Sequence, residues 1–410
     1  MAREVVVTGM GMITPVGADV ESNWNAILSG RSGIGMIPGD WVEAQPAKIA
    51  GIMSTDPAEL LDRVESRKMD RSQQAALVAA REAWKQAGSP EVDPDRLGAV
   101  VATGIGGVTS LLSAYDTLLE RGPSRISPHM VTMIMPNGPA AMVGLDVGAR
   151  AGVHAPVSAC ASGAEAISYA ARMIQTGRAD VVIAGGTEAA IHPITMAGFA
   201  AMRALSTRND DPTAASRPYD IDRDGFVMGE GAGIVVLESE EFAAARGAAI
   251  LGRYAGAGLT SDGHHIAQPD PEGSGAARAI AEALKDAQLT ANDIAHINAH
   301  ATSTPQGDIA EAVAIRRALG SATDSIYVTG TKSMTGHLLG GAGAIEAIYT
   351  MLALRDRKAP PTANLVNLDP EVNLNVSGND VTDLPTGPIA AINNSFGFGG
   401  HDVAVIFRSV

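Results

Sequence analysis

Two stretches of small residues narrow the fold at once: Cys160-Ala-Ser-Gly-Ala-Glu-Ala-Ile167 and Gly341-Ala-Gly-Ala-Ile-Glu-Ala-Ile348. Each follows a short β-branched run and a Gly/Ser/Thr-rich turn, and each predicts the opening of a helix. Helices with Gly and Ala on several faces suit the centre of a layered body, where backbones approach closely. Chance resemblance between Ala-rich helices is one reading of the echo; duplication of an αβ unit is the reading favoured. Apolar residues make up 46% of the chain but aromatics only 4%, so small aliphatic side chains must do the packing.

Strand-like and helix-like segments alternate along all 410 residues, the pattern of an α/β protein. Strands are expected at Glu4–Thr8, Leu97–Ala102, Val153–Ser158, Val181–Ala184, Ile234–Glu238, Ala295–Asn298, Ser325–Thr329, Ile389–Asn393 and Val403–Arg408. Helices are expected at Arg71–Gln86, Ser162–Thr176, Gly275–Ala287, Asp308–Leu319 and Gly343–Arg355. No flexible linker separates the halves, placed at 1–250 and 251–410. The opening Met1-Ala2-Arg3-Glu4 runs straight into Val5-Val6-Val7, which reads as a strand rather than a signal peptide. Ile126–Leu145 carries no Asp, Glu, Lys or Arg, but three prolines with His129 and Asn137 argue against a membrane span. It reads as a buried, irregular segment near a site or subunit contact. A cytoplasmic protein without membrane insertion is expected.

One cysteine excludes a disulfide framework and any multi-cysteine metal site. A net charge of −15 argues against a general nucleic-acid binder. Cys160 lies between a strand and a helix, the setting of a nucleophile elbow. The positive end of that helix, or an imidazole nearby, would favour the thiolate. A lone cysteine is more often a small buried hydrophobe. Two further segments weigh against that here. His300 stands in Asn298-Ala-His-Ala-Thr-Ser-Thr304, and Lys332 and His337 stand in Gly330-Thr-Lys-Ser-Met-Thr-Gly-His337. A thiol can take an acyl group from a thioester, and two imidazole N–H groups can stabilise an enolate formed as carbon dioxide leaves. Asn393-Asn-Ser-Phe-Gly-Phe-Gly-Gly-His401 adds a Gly-rich loop able to bring backbone N–H groups to an oxyanion. Gly104-Ile-Gly-Gly107 fails the dinucleotide-binding spacing, and His264-His265 lacks a third metal ligand.

Taken in order, these motifs resemble the β-ketoacyl-[acyl-carrier-protein] synthases of the type I/II condensing enzymes, synthase II type. The resemblance runs from Val5-Val-Val-Thr-Gly-Met-Gly11 through Arg203-Ala-Leu-Ser-Thr-Arg-Asn209, Ser216-Arg-Pro218 and Asp222-Arg-Asp-Gly-Phe226 to Gly397-Phe-Gly-Gly-His401. It implies a thiolase-like fold, five αβαβα layers built from two duplicated halves, in a homodimer. It implies an acyltransferase that condenses a Cys-bound acyl chain with malonyl-carrier protein, with no cofactor for the chemistry. Carried over by motif, Cys160 is the nucleophile, His300 and His337 serve decarboxylation and condensation, and Lys332 tunes the site with Glu311. The N–H groups of Cys160 and Phe398 form the oxyanion hole. Ile105, Phe226, Thr302, Thr304, Phe396 and Phe398 contact substrate. Arg67, Lys68 and Arg203 meet the acidic acyl-carrier protein, with Arg63, Arg71 and Arg208 adding charge. A structural Na+ or K+ has expected ligands at Asn298, Ala299, Glu346, Asn393 and Asn394. Relatives without the nucleophile, with a second catalytic cysteine or with Asn in place of His337 do other work. A polyketide or specialised-lipid ketosynthase, or a non-catalytic carrier-binding subunit of a heterodimer, are the alternatives. Two positions depart from the family pattern. Ala301 replaces a usual Gly, which predicts no need for strongly positive φ there, and Asp402 replaces a usual Asn.

Overall fold

The computed structural model describes residues 3–410, so Met1 and Ala2 of the opening segment lie outside it. Its main sheet has ten strands. The first five are β1 (Val5–Ile13), β2 (Leu97–Ala102), β3 (Gly152–His154), β4 (Val181–Glu188) and β5 (Gly231–Ser239). The second five are β6 (Gly252–Ser261), β7 (Ile294–Asn298), β8 (Tyr327–Thr329), β9 (Ala390–Gly397) and β10 (His401–Arg408). Six helices complete the framework: α1 (Arg71–Gln86), α2 (Gly138–Val147), α3 (Ser162–Gln175), α4 (Ser274–Ala287), α5 (Pro305–Leu319) and α6 (Ala342–Asp356).

In chain order the first half reads β1-α1-β2-α2-β3-α3-β4-β5 and the second β6-α4-β7-α5-β8-α6-β9-β10. Across the sheet the strands lie β8-β7-β9-β10-β6-β1-β5-β4-β2-β3, so the spatial order of one half repeats in the other. The directions repeat as well: β2 is parallel to β3 and β4, as β7 is to β8 and β9. The halves meet where β1 runs antiparallel to β6, pairing Val5 with Tyr254 and Val7 with Gly252. Duplication is therefore a property of the topology.

Three apolar cores separate five layers. The outer helices α1 and α2 cover one face of the first half, and α4 and α5 cover one face of the second. Between the inner faces lie α3 and α6. They touch at matching glycines: a β-carbon built on Gly163 would lie 2.8 Å from Ala344 N, and one on Gly343 would lie 2.8 Å from Ala164 N. Only glycine permits that approach. The sequence echo was thus one residue out of register, because Gly163 corresponds to Gly343 rather than to Ala344. Every residue of α6 from Ala342 to Leu354 is buried, as a helix in a central layer must be.

Several expected boundaries shift. β3 ends at His154, because the chain must leave the sheet to form the turn before α3. Ile126–Leu145 is not a buried irregular segment. It forms the helices Met130–Ile134 and α2, and of its residues only Gly138, Pro139, Ala140, Val143 and Gly144 are buried. The three prolines fall outside helix interiors or in the first turn of α2, where a missing N–H costs nothing. No described helix is long and apolar enough to cross a membrane.

Candidate active site

Cys160 sits in a single turn, Ala159–Ala161, that carries the chain from β3 into α3. Ala159 takes φ +50°, a conformation that costs a non-glycine residue about 1 kcal/mol. Ser162 staples the turn, accepting from Ser158 N at 2.9 Å and donating to Ala159 O at 2.6 Å. The thiol is 8% exposed, packed with Phe226, Met228, Leu205 and Leu339, with Ile105 and Phe199 at the margin. Burial pushes it up to about 12; Lys332 and the N–H groups of Phe398 and Cys160 itself pull it down, and Glu188 pushes it further up. Loss of hydration thus outweighs the pull toward thiolate expected from the helix terminus, and the resting group is the thiol.

His300 follows β7 and His337 follows the short helix Lys332–Thr335. Their rings stand edge to face with centroids 5.3 Å apart. Phe226 packs on His337 at 5.4 Å and Phe396 on His300 at 5.6 Å, while Phe398 lies 6.5 Å from Phe199, itself 5.4 Å from Phe226. Burial holds both imidazoles well below their usual range, helped by the Lys332 charge, so both are neutral at physiological pH. Neither Nδ1 has a partner. A buried bare acceptor is more readily tolerated than a buried unpaired N–H, which assigns the proton of each ring to Nε2. The site thus holds two neutral N–H donors.

Backbone contacts fix both histidines. His337 N donates to Val227 O at 2.7 Å, and Gly229 N donates to His337 O at 2.8 Å. Glu311, buried on α5, accepts from His300 N at 2.8 Å and Ala301 N at 2.7 Å, and from Tyr219 and Asn394 side chains. Glu311 therefore holds the His300 turn. Lys332 forms its ion pair with Glu346 of α6, at 2.5 Å between two fully buried side chains, and its charge also bears on Glu311. Burial lifts Glu346 to about 7 against the pull of Lys332. Ala301 has φ +35°, so a positive φ is needed there after all, and the two Glu311 bonds are what impose it.

Thr302 and Thr304 share a hydroxyl–hydroxyl bond of 2.9 Å at the start of α5. Arg67, Lys68 and Arg203 are exposed and lie on the surface, apart from the buried groups. Arg71 of the same basic run is tied to Glu230 and Asp56 and offers no free charge. Around α6, Glu346 Oε2, Asn393 Oδ1 and Asn394 Oδ1 are buried without partners, while Asn298 Oδ1 accepts from Thr331 at 3.3 Å. Ala299 is buried between them in sequence. Orphaned oxygens of this kind fit a hard monovalent cation. No group of three or more His, Cys, Asp or Glu among the described residues could hold a metal ion, His264 and His265 included.

Asp402 is 3% exposed, and its Oδ2 has no partner. A β-carbon on Gly275 would lie 2.3 Å from both this oxygen and Asp262 Oδ1, so the two carboxyls crowd one point. Burial first, then Asp262, push Asp402 up to about 8, with Arg278 opposing. A carboxyl raised in the fold contributes stability that is complete below its unfolded range and lost as pH rises through the folded value. Tm should therefore carry a falling contribution as pH rises from about 4 to about 8, levelling off above, and Asp402→Asn should remove it. Calorimetry from about pH 5 to about pH 9 checks this; an equal fall in the variant would contradict it.

Two features escaped the sequence. Glu188, at the end of β4, is fully buried beside the Cys160 turn, and Phe199, on the helix Pro193–Ala201, completes the aromatic wall. Glu188 closes a run of β-branched and glycine residues, and a carboxylate at such a position was the available signal.

A family model described as the N-terminal domain of beta-ketoacyl synthase matches residues 2–243, and one for the C-terminal domain matches 251–366. The "3-oxoacyl-[acyl-carrier-protein] synthase 2" of Mycobacterium tuberculosis is 49% identical over 406 residues, covering 98% of this chain and 96% of that protein. The protein of the same name from Synechocystis is 46% identical over 409 residues, covering 99% and 98%. A beta-ketoacyl synthase crystal structure from Burkholderia phymatum superposes with a TM-score of 0.90 at 36% identity, over all of both chains. A type II polyketide ketosynthase, solved in complex with its acyl-carrier protein, superposes at 0.92 with 32% identity, again over both whole chains. Duplicated halves, an elbow cysteine, two neutral histidines and these matches agree: the chain belongs to the beta-ketoacyl synthase family.

Proposed function

We propose that this chain elongates fatty acids by two carbons, as a β-ketoacyl-[acyl-carrier-protein] synthase acting by decarboxylative Claisen condensation. The reading is supported by one observation: His300 and His337 meet at 5.3 Å, and Phe226, packed on His337, belongs to the cluster that buries the one thiol. In the first step Cys160 Sγ attacks the carbonyl of an acyl-carrier thioester. The bond to the pantetheine sulfur breaks, and the thiol proton goes to that leaving sulfur. The N–H groups of Cys160 and Phe398 receive the oxyanion. In the second step the carboxylate of malonyl-carrier leaves as carbon dioxide, and its bonding pair becomes an enolate whose oxygen accepts from His300 and His337 Nε2–H. Neutral rings serve this better than charged ones, because an imidazolium would stabilise the departing carboxylate in the ground state and could protonate the enolate carbon. The enolate carbon then attacks the Cys160 thioester, forming the new carbon–carbon bond, and Cys160 leaves as a thiolate that takes a proton.

Thr302 and Thr304 would hold the pantetheine arm, with Ile105, Phe226, Phe396 and Phe398 along the acyl path. Arg67, Lys68 and Arg203 would meet the acidic carrier. A Na+ or K+ would be held by Asn298, Ala299, Glu346, Asn393 and Asn394, supplying fixed positive charge behind the Lys332–Glu346 pair and no reaction step. The reading is tested by adding acyl-carrier and malonyl-carrier proteins to the purified chain. One β-ketoacyl-carrier and one carbon dioxide are expected per turnover, and no product under saturating carriers would refute it. Product chain length then separates fatty-acid elongation from polyketide synthesis. A single free thiol suits a reducing compartment, which favours the cytoplasm.

The chain acts as a homodimer in this reading. The outer edge of β8 is covered, with Val328 N bonded to Asn375 O at 3.0 Å and Ser377 N to Val328 O at 2.9 Å. Its counterpart β3 ends the sheet with no partner strand and an exposed Val153. In the same half, the helix Val108–Arg121 exposes Leu111, Tyr115, Leu118 and Leu119. An open edge and an exposed apolar face are places for a second copy. Light scattering should give twice the 42.0 kDa chain mass, and Leu119→Asp with Val153→Asp should give the monomer; a monomeric wild type would contradict it.

A further inference from the structure

The duplication supplies two elbows, and they end differently. Ala159–Ala161 opens α3 and Leu339–Gly341 opens α6. Each begins on a residue of positive φ, +50° at Ala159 and +47° at Leu339. Each is closed in the same way, by Ala161 N to Ser158 O at 3.0 Å and by Gly341 N to Leu338 O at 2.9 Å. Gly340 therefore stands where Cys160 stands. At the first elbow the N–H groups of Cys160 and Phe398 turn to the sulfur. At the second, Gly340 N donates at 3.1 Å to Glu188 Oε2, which also accepts from Gly104 N at 2.8 Å. Glu188 Oε1 accepts from Thr103 Oγ1 at 2.7 Å and Ile105 N at 3.3 Å. A fully buried carboxylate with four donors thus fills the anion-binding turn of the elbow that has no nucleophile. It also reaches the working elbow: a β-carbon on Gly104 would lie 2.8 Å from Glu188 Oε2 and 3.3 Å from Ala159 O, the residue before the cysteine.

We propose that Glu188 is a positioning residue for Cys160, holding the Thr103–Ile105 turn and the Gly340 elbow as the floor beneath the nucleophile and placing a negative charge beside its sulfur. The proposal rests on the reading of Cys160 as the nucleophile. Burial lifts Glu188 to about 7 against its four donors, so its ionised form grows as pH rises through neutrality. That charge opposes thiolate formation and keeps the resting thiol protonated, one contribution to the upward push at Cys160. The opposing charge is Lys332.

Alkylation by iodoacetamide reads the thiol alone, because the chain has one cysteine and the reaction needs no carrier. Glu188→Gln removes the charge, and its alkylation rate at about pH 8 is expected to rise roughly tenfold, with the pH profile displaced downward. Thr103→Val keeps the carboxyl but removes one donor, so Glu188 holds its proton to higher pH. This variant should alkylate faster than wild type near neutrality and match it above about pH 9. In steady state, Glu188→Gln should lower kcat with KM unchanged, since one pair of donors loses its acceptor beneath the nucleophile. Wild-type profiles in folded Glu188→Gln or Thr103→Val would overturn the proposal, and if the first variant does not fold, the second decides. A wild-type protein that alkylates but never condenses would instead refute the reading of the function.

Discussion

Cys160→Ala is expected to lower the rate of condensation by at least about 10³-fold while leaving the fold intact. The side chain is small, lies in an apolar cluster and makes no salt bridge, so its removal leaves only a sulfur-sized gap. A loss of about 1 kcal/mol of stability is expected from that gap. The activity loss has a different origin. The reaction is split into two steps by a covalent thioester, and no other thiol is present to carry it. The raised thiol sharpens the expectation: with the resting group protonated, acyl transfer depends on the carbonyl being polarised by the Cys160 and Phe398 N–H groups as the proton leaves. Product formation from acyl-carrier and malonyl-carrier is the measurement, and a rate within tenfold of wild type would remove Cys160 from the mechanism.

His300→Ala and His337→Ala are each expected to slow carbon dioxide release from malonyl-carrier by about 10²–10⁴-fold. The two rings converge, and both donate from a desolvated site where a hydrogen bond to a developing enolate is worth far more than in water. Because they serve one oxygen, the double variant should be little slower than the worse single variant. Acylation of Cys160 should stay within about tenfold of wild type, since its oxyanion is received elsewhere. This split separates a decarboxylation role from general disruption of the pocket. Equal losses in both half-reactions would assign the histidines a structural role. The low imidazole values also predict no loss of activity from histidine protonation between about pH 6 and about pH 8.

What the chain discloses before folding follows its local chemistry. Arg71–Gln86 is found with its expected ends because Asp70 and Gln73 form a capping box that sets the start. The elbow, the two histidine turns and the Gly-rich loop are local as well, each being a strand end followed by small residues. β6 was missed because Gly252, Gly256 and Gly258 lower its strand propensity. Two of those glycines are there for packing: β-carbons on Gly256 and Gly258 would lie 2.5 Å from Ala287 N and 1.9 Å from Ala279 O of α4, as one on Gly11 of β1 would lie 1.9 Å from Ala79 O of α1. Choices among distant partners were not legible. Lys332 takes Glu346 as its ion-pair partner because α6 brings that carboxylate to it. Ala301 takes a positive φ where Glu311 accepts from its own N–H and from that of His300. The direction of the Cys160 shift is likewise a balance of burial against a helix terminus, and burial is a property of the finished fold.

The most direct test is intact-mass measurement after incubation with acyl-carrier protein alone. One acyl group should be added per chain, mapped by peptide analysis to Cys160, and absent from Cys160→Ala. An unmodified wild-type protein, or an acyl group carried on any other residue, would contradict the account.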